Sequence, residues 1–283
     1  MTDRPASNTA VGVAMLRAVH QLLDGLPRVL DDTVVVRLLG PDTEWSVRER
    51  AAQMLGPRAT ALRTHVLLRS RYAEERLQLA TSRGVGQFVI LGAGLDTFAY
   101  RQPEWSKSLR IYEVDHPASQ ISKRERLEAA NIRLPENLVF VPTDFERETL
   151  RYRLGVAGLD FSGATFISCL GVIVYLTKGA VKDLFHFIAS LAPGSECVFT
   201  FGGNSRQTEA GFPSLADLAA AAGEPFRSPL DVAAVGAVCT DAGLPEPIFP
   251  TAEEIKSYLG ERQDWLRPPA RASIASVTVA LRV

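Results

Sequence analysis

Short runs of consecutive apolar residues alternate along this chain with longer segments in which apolar residues recur every three or four positions. The short runs have the length and composition of buried β-strands. Five of them lie at 88–91, 109–115, 138–142, 164–169 and 196–201. Helices are predicted between them at 117–130, 146–153 and 178–192. This alternation is typical of βαβ units, so it predicts an α/β fold with a mainly parallel sheet and helices on both faces.

Two flanking regions depart from this alternation. Before it, helical periodicity over Thr9 to Leu23 and over about 57 to 83 predicts a helical N-terminal region at 1–84. The α/β core is then assigned to 85–283, and residues 202–228, rich in Gly, Pro and Ala, are predicted to form an insertion on its substrate side. The core is predicted to close with a helix at 230–241, a strand near 246–249, a helix at 252–260 and a β-rich run at 273–283.

A glycine turn follows the first predicted strand, where Phe88–Leu91 runs straight into Gly92-Ala93-Gly94. Glycine has no Cβ, so the backbone can turn sharply there and a ligand can lie against the main chain. Asp96 or Thr97 is expected to cap a helix that follows the turn and ends near Arg101. The same turn also occurs in α/β proteins that bind nothing there. Thr97 occupies the third glycine position of the GxGxxG dinucleotide motif, which argues against NAD or FAD.

Acidic residues follow the next two predicted strands. Asp115 ends the second strand about twenty residues past the glycines, where such folds bind the ribose hydroxyls of an adenosine, and Glu113 is the alternative. After the third strand, the Asp144 carboxylate is placed to accept a hydrogen bond from the adenine amine while the Phe145 ring packs on the base. Three strand ends with suitable groups together predict an adenosine site.

Composition narrows the function classes. The chain has 283 residues, 46% of them hydrophobic and 22% charged, with a net charge of −1. These are ordinary globular values, and the charge gives no reason to expect a nucleic acid or an anionic membrane as partner. The three cysteines are widely spaced and suggest neither a disulfide framework nor a zinc site. With no signal peptide and no long apolar run, a cytoplasmic location is expected.

The motifs of the glycine turn and of the second strand resemble those of a known family. The segments Gly92–Arg101 (GAGLDTFAYR) and Tyr112–Pro117 (YEVDHP) look like the leucine carboxyl methyltransferase-like family of class I S-adenosylmethionine (SAM) enzymes, in its bacterial O-methyltransferase branch. The likeness runs from about residue 8 to about residue 202. It implies a Rossmann-like, mainly parallel seven-stranded sheet, a lid of N-terminal helices and SAM as cofactor.

The resemblance also implies roles for individual residues. The family places an arginine before the first strand to bind the SAM carboxylate, and Arg69 matches best, with Arg71 as the alternative. Either arginine could instead belong to a solvated face that pairs with Glu74 and Glu75. Leu170 stands where the family has a glutamate for the SAM amino group. Either a backbone carbonyl, such as that of Gly92 or Ser168, takes over, or the site has been reshaped for a different acceptor. The expected cofactor-binding residues are Arg69, Gly92, Ala93, Gly94, Asp115, His116, Asp144, Phe145 and Ser168.

The acceptor side is less defined by the sequence. A carboxylate acceptor is already ionised at neutral pH and needs no base, whereas a hydroxyl or carbon acceptor needs its proton removed. Tyr175 and His116 are the expected catalytic residues; His186 is a further candidate, but it lies mid-helix between phenylalanines. His20 and His65, on the N-terminal helices, could face the acceptor or water. No metal is expected.

Three functions remain open. The first is methyl transfer from SAM to a small-molecule carboxylate or hydroxyl in bacterial secondary metabolism, with a C-methyltransferase acting on an aromatic or indole-like carbon as its variant. The second is an NAD(P)-binding Rossmann oxidoreductase, disfavoured by Thr97 and by the lack of a Tyr-x-x-x-Lys pair. The third is a non-catalytic SAM-binding relative, which Leu170 keeps open. The expected partner is a small molecule, and homodimerisation is left open.

Overall fold

The computed structural model describes residues 7–202, 219–221, 223–261, 266 and 273–280. Within them the strands form one six-stranded sheet in the order β3-β2-β1-β4-β5-β6. The strands β1 to β5 run parallel, and β6 pairs antiparallel with β5, which confirms the mainly parallel sheet. Their bounds are β1 Gln87–Leu91, β2 Arg110–Asp115, β3 Leu138–Pro142, β4 Thr165–Cys169, β5 Glu196–Thr200 and β6 Ile274–Thr278.

Helices cover both faces of this sheet and precede it. The described helices are α1 Asn8–Leu23, α2 Thr33–Leu39, α3 Thr43–Glu49, α4 Ala51–Met54, α5 Pro57–Ser82, α6 Pro117–Ala129, α7 Leu150–Val156, α8 Lys178–Ala189, α9 Val232–Asp241 and α10 Ala252–Leu259. Of the predicted insertion at 202–228, residues 203–218 and 222 lie outside the described part. No described helix is long and apolar enough to cross a membrane.

The apolar run in β1 is buried because the strand is covered on both faces. Val89 and Leu91 belong to the core cluster that includes α7, α8 and α9. Phe88 and Ile90 belong to the opposite cluster, which includes α5 and α10. Successive side chains of a strand point to opposite faces, so a strand at the centre of a parallel sheet needs four apolar residues in a row. This packing fixes the position of the glycine turn that follows.

The predicted seventh strand, near 246–249, is reduced to a single residue. Ile248 makes an isolated antiparallel bridge with Ser276 of β6, in which each N–H donates to the other carbonyl at 2.8 Å. Pro245, Pro247 and Pro250 surround it. Proline has no N–H to donate to a ladder, so the segment cannot pair over several residues. The prediction of seven strands is therefore wrong by one: the described residues form six strands and a bridge.

The helix predicted after the glycine turn is also shorter than expected. Only a 3-10 turn forms, at Phe98–Tyr100, and the Asp96 side chain accepts a hydrogen bond from the Phe98 N–H at 2.8 Å. The chain turns away at Gln102 because the residue before Pro103 avoids helical backbone angles. Of the two predicted caps, Thr97 is the residue at the N-cap position and makes no side-chain cap hydrogen bond, while Asp96 closes a local turn before it.

Candidate active site

The glycine turn lies at the carboxyl ends of the central strands, and two elements press against it. Gly92 and Gly94 have φ angles of 62° and 45°, in the region that favours glycine. A Cβ at Gly92 would overlap Cγ2 of Val172, in the loop after β4. A Cβ at Gly94 would lie 3.1 Å from the Ala10 Cβ of α1. Both glycines are thus needed for backbone conformation and for close approach, while Ala93 between them is buried in the core.

Asp115, the predicted ribose ligand, is held by backbone N–H groups. Its Oδ2 accepts from the Gly94 N–H at 2.5 Å, and its Oδ1 accepts from the His116 N–H at 2.6 Å. Burial raises the pKa of Asp115, while these two hydrogen bonds and the charge of Lys123 lower it. Each carboxylate oxygen has a further lone pair. The structure thus joins Asp115 to the glycine turn and leaves it able to accept two more hydrogen bonds.

Glu113, the alternative, has a different environment. Its Oε2 accepts from Nζ of Lys123 at 2.7 Å, and both side chains are almost fully buried. Burial raises the pKa of Glu113, and Lys123 opposes that shift. Glu113 is therefore engaged in a buried ion pair beneath the end of β2.

The predicted adenine-side residues lie one strand further out. The Thr143 N–H donates to the Asp115 carbonyl at 2.8 Å, which fixes the loop after β3 beside β2. In that loop, Oδ1 of Asp144 accepts from the Glu146 N–H at 3.0 Å. The partly buried Phe145 packs against the core cluster of α7 and α8. This local turn also explains why α7 begins at 150 and not at the predicted 146.

Arg69 lies on α5 against the loop that follows β4. A Cβ at Gly171 would be 2.8 Å from its Nη1, so the guanidinium packs directly on the Gly171 backbone. Its Nε is enclosed and has no hydrogen-bond partner, and within the described residues no carboxylate lies within ion-pair distance of it. Burial, with the charge of Arg17 second, lowers the pKa of Arg69 to about 10, which still leaves it charged at neutral pH. In the described part of the chain Arg69 is thus a largely enclosed cation that makes no ion pair, and Asp96 is the carboxylate whose charge raises its pKa.

The other side chains considered for this charge lie elsewhere. Arg71 is exposed and lies 5.8 Å from the centre of the Tyr258 ring. Glu74 forms an ion pair with Arg101. Arg71 therefore lies on a solvated face of α5, as the alternative interpretation expected, whereas Arg69 does not.

The residue after β4, Leu170, offers no negative charge to bind the amino group of SAM. Leu170 packs against the apolar cluster on the α5 side of the sheet. The Gly171 N–H donates to Oγ1 of Thr200 at 2.6 Å, which holds the loop to β5. Ser168 is buried in β4 opposite Ile90 of β1. Leu170 is thus partly buried against the core, and it provides no acidic side chain at this position.

Tyr175, the expected acceptor-side residue, lies in a 3-10 turn at Ile173–Tyr175. Its ring packs edge-to-face on Phe226, with ring centres 5.3 Å apart. Burial, the largest effect, raises the pKa of Tyr175, while a hydrogen bond with Thr9 and the charge of Arg69 lower it. The phenol is therefore protonated at neutral pH and can donate a hydrogen bond.

The histidines separate into different environments. Nδ1 of His116 accepts from the Ala118 N–H at 3.3 Å and caps α6. His186 is exposed and lies 3.8 Å from Asp241, so it is not part of this site. His65, one turn before Arg69, has its pKa lowered to about 3, chiefly by burial and then by Arg69. Of the expected catalytic residues, Tyr175 neighbours Arg69, and His116 adjoins Asp115.

The sequence analysis did not predict a buried ion-pair network that lies beneath the glycine turn. Nη1 of Arg17 donates to Oδ2 of Asp32 at 2.7 Å and to Oγ1 of Thr97 at 3.0 Å, and Nη2 donates to the Leu95 carbonyl at 2.6 Å. Thr97 thus serves as an anchor for α1, which explains a side chain where the dinucleotide motif has glycine. The available signal was Arg17 itself, a charged residue within an otherwise apolar stripe.

Comparisons with known proteins give a matching family model and several named relatives. The family model for leucine carboxyl methyltransferase matches residues 10–189. A predicted S-adenosyl-L-methionine-dependent methyltransferase of Bacillus subtilis, YktD, is 39% identical over 167 residues, which cover 57% of this chain and 55% of that protein. The chain therefore matches about half the length of that relative.

A second relative and one solved structure match over more of the chain. The predicted S-adenosyl-L-methionine-dependent methyltransferase Rv0830 of Mycobacterium tuberculosis is 32% identical over 211 residues, which cover 70% of this chain and 69% of that protein. The crystal structure of a DUF574 family protein from Streptomyces avermitilis superposes with a TM-score of 0.56 at 16% identity, covering 97% of this chain and 98% of that one. At this identity the likeness concerns the fold alone.

Proposed function

The chain belongs to the leucine carboxyl methyltransferase family and has its class I methyltransferase-like α/β fold, and from that membership we propose that it transfers a methyl group from SAM to a small-molecule acceptor. SAM is the cofactor named for its relatives. The observation that carries the proposal is Arg69, a largely enclosed guanidinium that makes no ion pair among the residues the structure describes, at the edge of the sheet where such cofactors bind.

The residues of the site fit SAM. Arg69 would bind the carboxylate of its methionine end, because a planar guanidinium matches a carboxylate in two parallel hydrogen bonds. Asp115 would accept from the two ribose hydroxyls, and Asp144 with Phe145 would hold the adenine. Backbone carbonyls at Gly92 or Ser168 would take the amino group, since Leu170 cannot. When bound, SAM supplies an activated methyl group on a positively charged sulfur.

The titration states of the site favour a carboxylate as the acceptor. Burial keeps Tyr175 protonated, and His65, with a pKa of about 3, has little affinity for a proton. His116 uses one ring nitrogen to cap α6 and adjoins the ribose acid. An acceptor that arrives already ionised needs none of these groups as a base. Tyr175 would orient it by donating a hydrogen bond, while the start of α1 excludes water.

The N-terminal helices would act as a lid over this site. Ala10 of α1 contacts the glycine turn, and Arg17 ties the same helix to Leu95 and Thr97. We therefore propose that residues 1–84 form the lid and substrate-side helices, and that 85–283 form the SAM-binding core.

A methyl-transfer screen tests the proposal. The protein is incubated with SAM carrying a radiolabelled methyl group and with panels of small carboxylic acids, phenols and indoles, with Asp115→Asn as the control. Alkali releases a methyl ester as labelled methanol, whereas methyl ethers and C-methyl products keep their label. Release of label from an acid product supports a carboxylate acceptor. Alkali-stable products overturn that choice, and the absence of transfer across a broad panel counts against catalysis.

A further inference from the structure

The first residues of α1 are bonded to a single carboxylate that lies more than two hundred positions away in the sequence. Oγ of Ser7 donates to Oε2 of Glu224 at 3.0 Å, and the Asn8 N–H donates to Oε1 at 3.0 Å. The Thr9 hydroxyl also donates to Oε2. Three donors therefore converge on one charged acceptor, and hydrogen bonds to charged groups are among the stronger ones in proteins.

Glu224 is itself fixed to the loop that follows β4. The Arg227 N–H donates to the Val174 carbonyl at 2.7 Å, and the Phe226 ring packs on Tyr175. The carboxylate thus stands on the acceptor side of the site and reaches across to α1.

The other end of this connection closes over the glycine turn. Ala10, one residue past Thr9, lies against Gly94, as the 3.1 Å separation for an added Cβ shows. An opening of about 90 Å³ remains between the start of α1, Gly94 and Ser119 and Ser122 of α6. The start of α1 therefore covers the glycine turn, and a ligand that lies against Gly94 would need α1 to move outward before it enters.

We infer that Glu224 is a positioning residue that holds α1 closed over the cofactor crevice and so sets how fast SAM enters and leaves. This rests on the proposed function, and it assigns no contact between Glu224 and SAM. Since the Glu224 segment also packs on Tyr175, the same residue links retention of the cofactor to the acceptor side. Loss of the carboxylate raises both rates, because opening precedes both entry and exit.

Exchange kinetics test the inference on the full chain. Radiolabelled SAM is bound to the protein and chased with unlabelled S-adenosylhomocysteine, and the association rate follows from the same assay at several SAM concentrations. In Glu224→Ala we expect both rates to rise about tenfold, the equivalent of one charged hydrogen bond. The dissociation constant should change much less than either rate. A structural defect would instead lower affinity without speeding association.

Matched variants keep the outcome interpretable. Glu246→Ala removes an exposed glutamate without an ion pair in the described part of the chain and should leave both rates unchanged. Thr9→Val removes one donor with little change of shape, and combined with Glu224→Ala it should be less than additive. Unchanged rates in Glu224→Ala, with tight binding to the wild-type protein, overturn this inference alone. Failure of the wild-type protein to retain SAM overturns it together with the proposed function.

Discussion

Two arginines on the same helix, six positions apart, have opposite surroundings. Arg63 is fully buried and binds Asp24 in two parallel hydrogen bonds of 2.7 and 2.9 Å, while its third nitrogen donates to the Met54 carbonyl at 2.7 Å. Arg69 is partly buried, and its enclosed Nε has no hydrogen-bond partner within the described residues. Arg63 is therefore paired by the protein itself, whereas Arg69 makes no ion pair within the described residues.

The contrast distinguishes an arginine that stabilises the fold from one that is free to bind a ligand. The partner of Arg63 is itself hydrogen-bonded: Nδ1 of His20 lies 2.9 Å from Oδ2 of Asp24, and Nε2 of His20 accepts from the Val29 N–H. Burying a charge without a partner costs free energy of folding, so the position of Arg69 is not explained by stability. Under the proposed function, a ligand carboxylate bound to the guanidinium would offset this cost.

The largest effect is expected from substitution of Arg63, on the free energy of unfolding. Arg63→Met leaves the Asp24 carboxylate buried without its counter-ion, which should lower the free energy of unfolding by about 3–5 kcal/mol. Urea unfolding followed by circular dichroism measures it. The double variant Arg63→Met/Asp24→Asn should recover part of the loss, because it removes both charges. A loss below about 1 kcal/mol in the single variant would contradict the structural role.

The binding arginine should behave in the opposite way. Arg69→Met should weaken SAM binding by about 2–3 kcal/mol, or roughly 30- to 150-fold, through loss of a charged bidentate contact. The free energy of unfolding should stay the same or rise, since an unpaired charge is removed. Calorimetry and urea unfolding of one preparation test both, with the exposed Arg71→Met as the matched control. Reduced stability with normal SAM affinity would reverse the assignment.

A smaller effect is expected at the ribose acid. Asp115→Asn keeps the size of the side chain but loses its charge, and it should weaken SAM binding by about 1–3 kcal/mol. Glu113→Gln, two residues earlier, should act mainly on stability because Glu113 pairs with Lys123. If the two substitutions weakened SAM binding equally, the distinction between the acids would be lost.

The smallest expected effect is a pH dependence in which the free energy of unfolding and the affinity for SAM change in opposite directions. Burial raises the pKa values of Asp115 and Glu113, so the folded protein keeps their protons to higher pH than the unfolded chain does. The stability that these groups contribute is therefore present below the ordinary carboxyl range and is lost as pH rises through their raised values. SAM affinity should rise over the same interval as Asp115 ionises. Unfolding and binding measured across that interval give both trends, and parallel trends would contradict the assignment.

The sequence predicted the parts of this molecule that depend on local patterns. Phe88–Leu91 reads as a buried strand because each residue faces a core, and Gly92 and Gly94 reveal a turn that needs their backbone freedom. β3 and the start of α8 were likewise predicted at their observed positions. Patterns of this kind repeat over short distances, so a single sequence displays them.

The parts that could not be predicted depend on distant partners. Nothing near Thr97 in the sequence shows that Arg17 will bond to it, and nothing near Asn8 points to Glu224. The lack of a partner at Arg69 is harder still to foresee, because it is visible only once the surrounding chain is in place. The short α3, seven residues long and largely polar, gave no periodic signal.

Isothermal titration of the wild-type protein with SAM and, separately, with NAD tests the central claim most directly. If Arg69 binds the SAM carboxylate and Asp115 binds the ribose, SAM should bind saturably with a dissociation constant of roughly micromolar size. NAD should then give no heat of binding. Binding of NAD in the absence of SAM binding would contradict the account.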